Sequence, residues 1–177
     1  MHLSRRTLIA ALALGPVAHQ PVWSADSSQG FFHPLFGDLK AELETARKEK
    51  KKAVALIYEL DGCPFCERLK RVALRDPQVR QYFHANFLPY RIDIKGATQL
   101  TDFAGTDGTE SSFAAKQAVR ATPTIVFYDL SGKEMTRLVG PPTDAQEFLA
   151  LGRFVADGHY LRGDFAAYRQ AQRQGVR

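Results

Sequence analysis

The run Ala53-Val54-Ala55-Leu56-Ile57-Tyr58 is almost wholly apolar, and shortly after it stands Cys63-Pro64-Phe65-Cys66. An apolar run this short suits a strand buried on both faces of a sheet. Pro64 suits the first turn of a helix, where its missing N–H costs nothing. The chain therefore has to place a cysteine pair where a central strand gives way to a helix. These are the only two cysteines in 177 residues, which excludes a Zn(Cys)₄ site within one chain. A c-type haem anchor needs His directly after the second cysteine, and Glu67 stands there instead. What remains is a redox dithiol whose sulfurs close a small disulfide ring and open it by thiol exchange. A static disulfide is the alternative, but so small a ring gains little from chain entropy, and stapling does not require a helix start.

Only a thiolate attacks a disulfide, so one sulfur must be more acidic than a free thiol. A helix N-terminus supplies unpaired N–H groups and the positive end of the helix dipole. This assigns Cys63 as the attacking sulfur and Cys66, one turn further in, as the resolving thiol. Pro64 and Phe65 tune the pair, and Phe65 brings no charge, unlike a His at that place, which predicts a dithiol less oxidising than a strongly oxidising relative. Arg68, Lys70 and Arg71 either add positive potential or form a solvated helix face, the commoner arrangement.

Residues 1–25 have the pattern of an export signal: Arg5 and Arg6, an apolar run from Leu8 to Ala18, then polar residues. The run is too short to cross a bilayer, which takes about 20 residues. Val22 and Ser24 fit cleavage after Ser24, and an uncleaved tether is the alternative. Ser4-Arg5-Arg6-Thr7-Leu8-Ile9 also resembles a twin-arginine signal, alongside the ordinary secretory route. Either route leads to the periplasm, where disulfides persist. Losing Arg5 and Arg6 takes the formal charge from +5 to +3, too mild for nucleic acid. Lys48 to Lys52 is a cationic helix end.

The rest has room for one domain. An aromatic lead-in (26–37) precedes a domain over 38–157 and a helical extension over 158–177. Leu35, Leu39, Leu43 and Ala46 fall on one helical stripe. Asp76 and Pro77 open another helix, and Phe87 to Ile94 alternates as a strand. Residues 95–112 carry Gly96, Gly105 and Gly108 without periodicity and read as a long loop. Such a loop is a candidate for partner choice, with Phe103 as anchor and Asp102, Asp107 and Glu110 as charges. A short helix over 112–119 and strands over 124–128 and 134–139, joined by Asp129-Leu130-Ser131-Gly132, follow. Helices over 144–156 and from Asp164 close the chain. The order β-α-α-β-α-β-β-α predicts an α/β fold, a mixed sheet flanked by helices. His33, His84 and His159 show no ligand spacing, and no metal is expected.

These features together resemble the thioredoxin superfamily: the strand before Cys63-Pro64-Phe65-Cys66, Thr122-Pro123-Thr124 before a second strand, then the hairpin and Gly140. The resemblance covers roughly Asp38 to Ala156. It implies a thioredoxin fold with an added N-terminal helix and a long loop before a cis-Pro at Pro123. It also implies a Thr122 backbone placed to pair with an extended substrate beside Cys63, and close backbone packing at Gly140. Leu100-Thr101-Asp102-Phe103 and Asp144-Ala145-Gln146-Glu147-Phe148 are similar to exported thioredoxin-related proteins of the SoxW type. A monomer is expected, without bound cofactor beyond the Cys63–Cys66 disulfide; the likeness bears on its partners. Its partners would be disulfide-containing periplasmic proteins, including those of sulfur oxidation, and its electrons would come from a membrane thiol transporter.

The chain departs from thioredoxin in two respects. Gly62 precedes Cys63 where thioredoxin has Trp. Ile57 replaces the buried proton-accepting Asp six residues before the nucleophile. Glu59 or Asp61 is then the candidate proton acceptor for Cys66, with two solvated carboxylates as the plainer reading. The expected function is periplasmic disulfide reduction. Its rivals are a disulfide oxidase or isomerase and a redox-inactive binding module.

Overall fold

The computed structural model describes residues 30–175, so the export segment lies outside the described residues. A four-stranded mixed sheet runs in the order β2-β1-β5-β6. Its strands are β1 (Ala53–Glu59), β2 (Phe87–Asp93), β5 (Thr124–Tyr128) and β6 (Glu134–Val139). β1 and β2 are parallel, and β1/β5 and β5/β6 are antiparallel. Every residue of β1 is buried, as expected of a central strand covered on both faces. Ala53, Ala55 and Ile57 point into one apolar layer, and Val54, Leu56 and Tyr58 into the other.

The first layer lies under α2 (Pro64–Leu69), α3 (Pro77–Asn86), α5 (Ala145–Ala156) and α6 (Phe165–Arg173). Asp76 caps α3 by accepting from the Gln78 and Val79 N–H groups, with Pro77 at the first position. Phe83 on α3 is fully buried, its ring 4.4 Å from that of Phe148 and 5.3 Å from that of Phe87. Phe83→Ala is expected to cost about 3–5 kcal/mol of stability, read as a lower urea midpoint.

The second layer lies under α1 (Leu39–Lys48) and α4 (Glu110–Lys116). The segment expected as a long loop is mostly ordered structure. β3 (Gln99–Thr101) and β4 (Asp107–Thr109) form an antiparallel hairpin. α4 begins at Glu110, with Thr109 and Ser112 capping each other reciprocally. Strands of three residues are too short to display alternation, so the sequence hid them. Gly37 fits here because its φ is +84° and an added Cβ would lie 2.8 Å from the Gln99 carbonyl oxygen.

The residues named for this segment are also engaged within the domain. The Phe103 ring lies 4.7 Å from that of Tyr128. Asp102 is buried and accepts from the Ala104 and Thr106 N–H groups and from Lys116. Asp107 accepts from Thr101, and Glu110 from the Asp93 N–H. Phe103→Ala is therefore expected to lower thermal stability, as loss of packing against the sheet requires, and to leave dithiol reactivity unchanged.

Candidate active site

β1 ends at Glu59, the chain turns through Asp61 and Gly62, and Cys63 caps α2. Gly62 makes the turn at φ +71°. The first helical residue is Pro64, which leaves the following N–H groups free to face the Cys63 sulfur. The Cys66 N–H donates to it at 3.3 Å. From across the sheet, the Thr122 hydroxyl donates to the same sulfur at 3.2 Å. The two sulfurs, drawn here as thiols, are hydrogen-bonded to each other. Cys63 is 9% exposed and Cys66 1%, which leaves Cys63 as the sulfur an incoming disulfide can reach.

The two thiols have opposite acidities. Burial disfavours a Cys63 thiolate. Hydrogen bonds from the Cys66 thiol, the Thr122 hydroxyl and the Cys66 and Phe65 N–H groups outweigh that, and its pKa falls below the ordinary value. Cys66 is pushed up to about 11 by burial and by its hydrogen bond to Cys63, partly offset by the Leu60 N–H and Thr122. Thr122→Val removes one donor and keeps the shape, so Cys63 should become less acidic. Alkylation of Cys63 at neutral pH is expected to slow.

The Thr122–Pro123 peptide bond is cis. Pro123 is buried, and its carbonyl accepts from the Gly140 N–H at 2.8 Å. The reason for glycine at 140 differs from the close packing expected. An added Cβ would meet nothing within 4 Å, whereas φ is +87°, a conformation that other residues rarely adopt. Phe65 (57% exposed) and Val139 (59%) present apolar surface, one between the cysteines and the other next to Gly140.

The structure separates the two carboxylate candidates. Asp61 is exposed, so it stays a solvated turn residue. Glu59 is not the solvated group of the plainer reading: it is 1% exposed, 3.1 Å from Arg91 Nε and 3.6 Å from Lys70 Nζ. Lys70, read above with a solvated helix face, lies on the buried stripe of Cys66, Leu69 and Ala73, while Arg68 and Arg71 are exposed. The missed signal is spacing: Lys70 falls one turn after Cys66. Among the described residues no group of three or more His, Cys, Asp or Glu is placed to hold a metal ion.

A family model described as a thioredoxin-like domain matches residues 39–156. No curated protein sequence matches the chain. Among solved structures, a thioredoxin-fold protein from Helicobacter pylori is 23% identical, with a TM-score of 0.66, over 83% of this chain and 94% of that one. A candidate disulphide-isomerase from Bacteroides thetaiotaomicron is 27% identical, with a TM-score of 0.54, over 70% and 89%. A protein described as DsbH oxidoreductase is 15% identical, with a TM-score of 0.56, over 84% and 95%.

Proposed function

This chain belongs to the thioredoxin-like domain family, and from that premise we propose that it is a thiol–disulfide oxidoreductase that reduces disulfides of partner proteins. The observation that carries the reading is the contrast between the two sulfurs. Cys63 is the more accessible sulfur, its thiolate stabilised by N–H and hydroxyl donors, and Cys66 waits protonated beneath it. The Cys63 thiolate attacks a partner disulfide, forming a mixed disulfide and releasing one partner thiolate. Cys66 then loses its proton and attacks Cys63, closing the intramolecular disulfide and releasing the second partner sulfur. Phe65 and Val139 supply an apolar footing, and the Thr122 backbone pairs with an extended partner segment.

The export-type N-terminus supports a periplasmic site of action. There a reductase needs an electron feed, which fits a membrane thiol transporter, and the SoxW-type likeness supports partners in sulfur oxidation. A second reading, a disulfide oxidase, is favoured by the same hydrogen bonds, since stabilising the Cys63 thiolate stabilises the reduced form. The uncharged Phe65 between the cysteines favours the reductase. The deciding experiment is the midpoint potential of the pair, obtained by equilibration in defined thiol buffers and trapping of free thiols. A value near or below about −200 mV is expected, and one near about −120 mV would make the protein an oxidant.

A further inference from the structure

α6 begins past residue 156, where the thioredoxin-like domain ends, yet a continuous series of contacts ties it to the rim of the dithiol. The helix is seated on α5 by Phe165 and Tyr168, whose rings lie 5.5 and 5.2 Å from that of Phe154. Arg169 lies over the Phe165 ring at 5.7 Å and pairs with Oε1 of Glu147 in the first turn of α5. The other oxygen of that carboxylate, Oε2, accepts from the Thr143 N–H at 2.7 Å and from the Thr143 hydroxyl at 2.5 Å. The Glu147 side chain is only 8% exposed, so water competes little for either oxygen. Pro141 and Pro142 separate Thr143 from Gly140, whose N–H donates to the Pro123 carbonyl. Thr122, bonded to the Cys63 sulfur, directly precedes Pro123.

We infer that Arg169 is a positioning residue for the binding of extended protein disulfides, a role that rests on the dithiol chemistry proposed above. Through Glu147 it anchors Thr143, and Thr143 in turn fixes the far end of the rim that carries Val139 and Gly140. The two prolines between them have fixed φ angles and little freedom of their own. Movement of this rim therefore has to come from Gly140, which no side chain restrains, and from Thr143. Holding Thr143 removes one of the two pivots. Without Arg169 the Glu147 carboxylate is free to turn into water, and its bonds to Thr143 loosen with it. An extended partner segment needs the Thr122 backbone and the apolar surface of Val139, so it feels the looser rim. A small disulfide needs only the Cys63 sulfur, which keeps the Cys66 N–H of α2 as a donor.

The test compares two disulfides, with dithiothreitol returning the Cys63–Cys66 disulfide to the dithiol after each turnover. One is 2-hydroxyethyl disulfide, which has no peptide backbone. The other is a pair of identical peptides joined by one disulfide, with apolar residues flanking the cysteine. Arg169→Met is expected to raise the half-saturating concentration of the peptide about fivefold. The maximal rate on the peptide and the rate on 2-hydroxyethyl disulfide should stay at parent values. Arg169→Lys keeps a cation for Glu147 and should restore the parent half-saturation. Thr143→Val removes the hydroxyl but not the N–H, so it should act in the direction of Arg169→Met by a smaller factor. Thr143 is exposed, and this variant carries the test if Arg169→Met fails to fold.

Parent-like half-saturation in both Arg169→Met and Thr143→Val would overturn the proposal. So would an equal loss on the two disulfides, as a general loosening of the fold predicts, or a failure of Arg169→Lys to restore binding. If the parent protein turned over neither disulfide, the dithiol reading itself would fail, an outcome distinct from unaltered variants of a parent that reduces both.

Discussion

Cys66→Ser is expected to leave the protein covalently joined to its substrate through Cys63. With Cys66 in place, the mixed disulfide faces a thiol held in the same helix turn, its backbone N–H already on the Cys63 sulfur. An intramolecular attack of this kind outruns one by dissolved thiol by a large effective concentration, and its loss should slow release at least about 100-fold. Serine keeps the size and a hydroxyl near the Leu60 N–H, so the fold has no reason to fail. The measurement is non-reducing mass spectrometry after mixing with a disulfide peptide. A stable adduct of protein plus one peptide half is expected for Cys66→Ser and none for Cys63→Ser. Adduct on Cys63→Ser would reverse the roles of the two sulfurs.

The parts of this site that the sequence revealed are those whose signal is local. The cysteine spacing, Pro64 and the apolar run before them lie within a dozen or so neighbouring residues, and one helix turn fixes their relation. The hairpin of β5 and β6 was legible because Asp129 to Gly132 has the chemistry of a tight turn. The side of the sheet that Glu59 faces was not legible. In a strand buried at every position, alternation carries no information about which face a residue takes, and the partners that decide it, Lys70 and Arg91, come from the turn after α2 and from β2. Lys70 misled for a related reason: a lysine among Arg68 and Arg71 looks like one more solvated cation until the buried stripe through Cys66 and Leu69 is traced. β3 and β4 stayed hidden because their pairing, not their composition, makes them strands.

At pH 7, iodoacetamide is expected to modify Cys63 and to spare Cys66 until long after Cys63 is consumed. A thiol whose pKa is pushed up to about 11 is thiolate to only about 10⁻⁴ at pH 7, and burial slows it further. Cys63 has its pKa lowered and is the more accessible sulfur. The same pair of shifts gives the reduced protein a pH-dependent stability of predictable sign. Cys66 has a folded value above the ordinary 9.0, so its contribution is complete below about pH 9 and is lost as pH rises through about 11. For Cys63 the folded value is below the ordinary one. Its contribution is present above the ordinary thiol range and disappears as pH falls through the lowered value. Urea midpoints of the reduced protein should therefore fall on the alkaline side through Cys66, and Cys66→Ser should remove that part of the fall. If the alkaline loss persisted unchanged in Cys66→Ser, some other group would be titrating. The contrast in acidity that makes Cys63 the attacking sulfur would then need a separate test by pH-dependent alkylation.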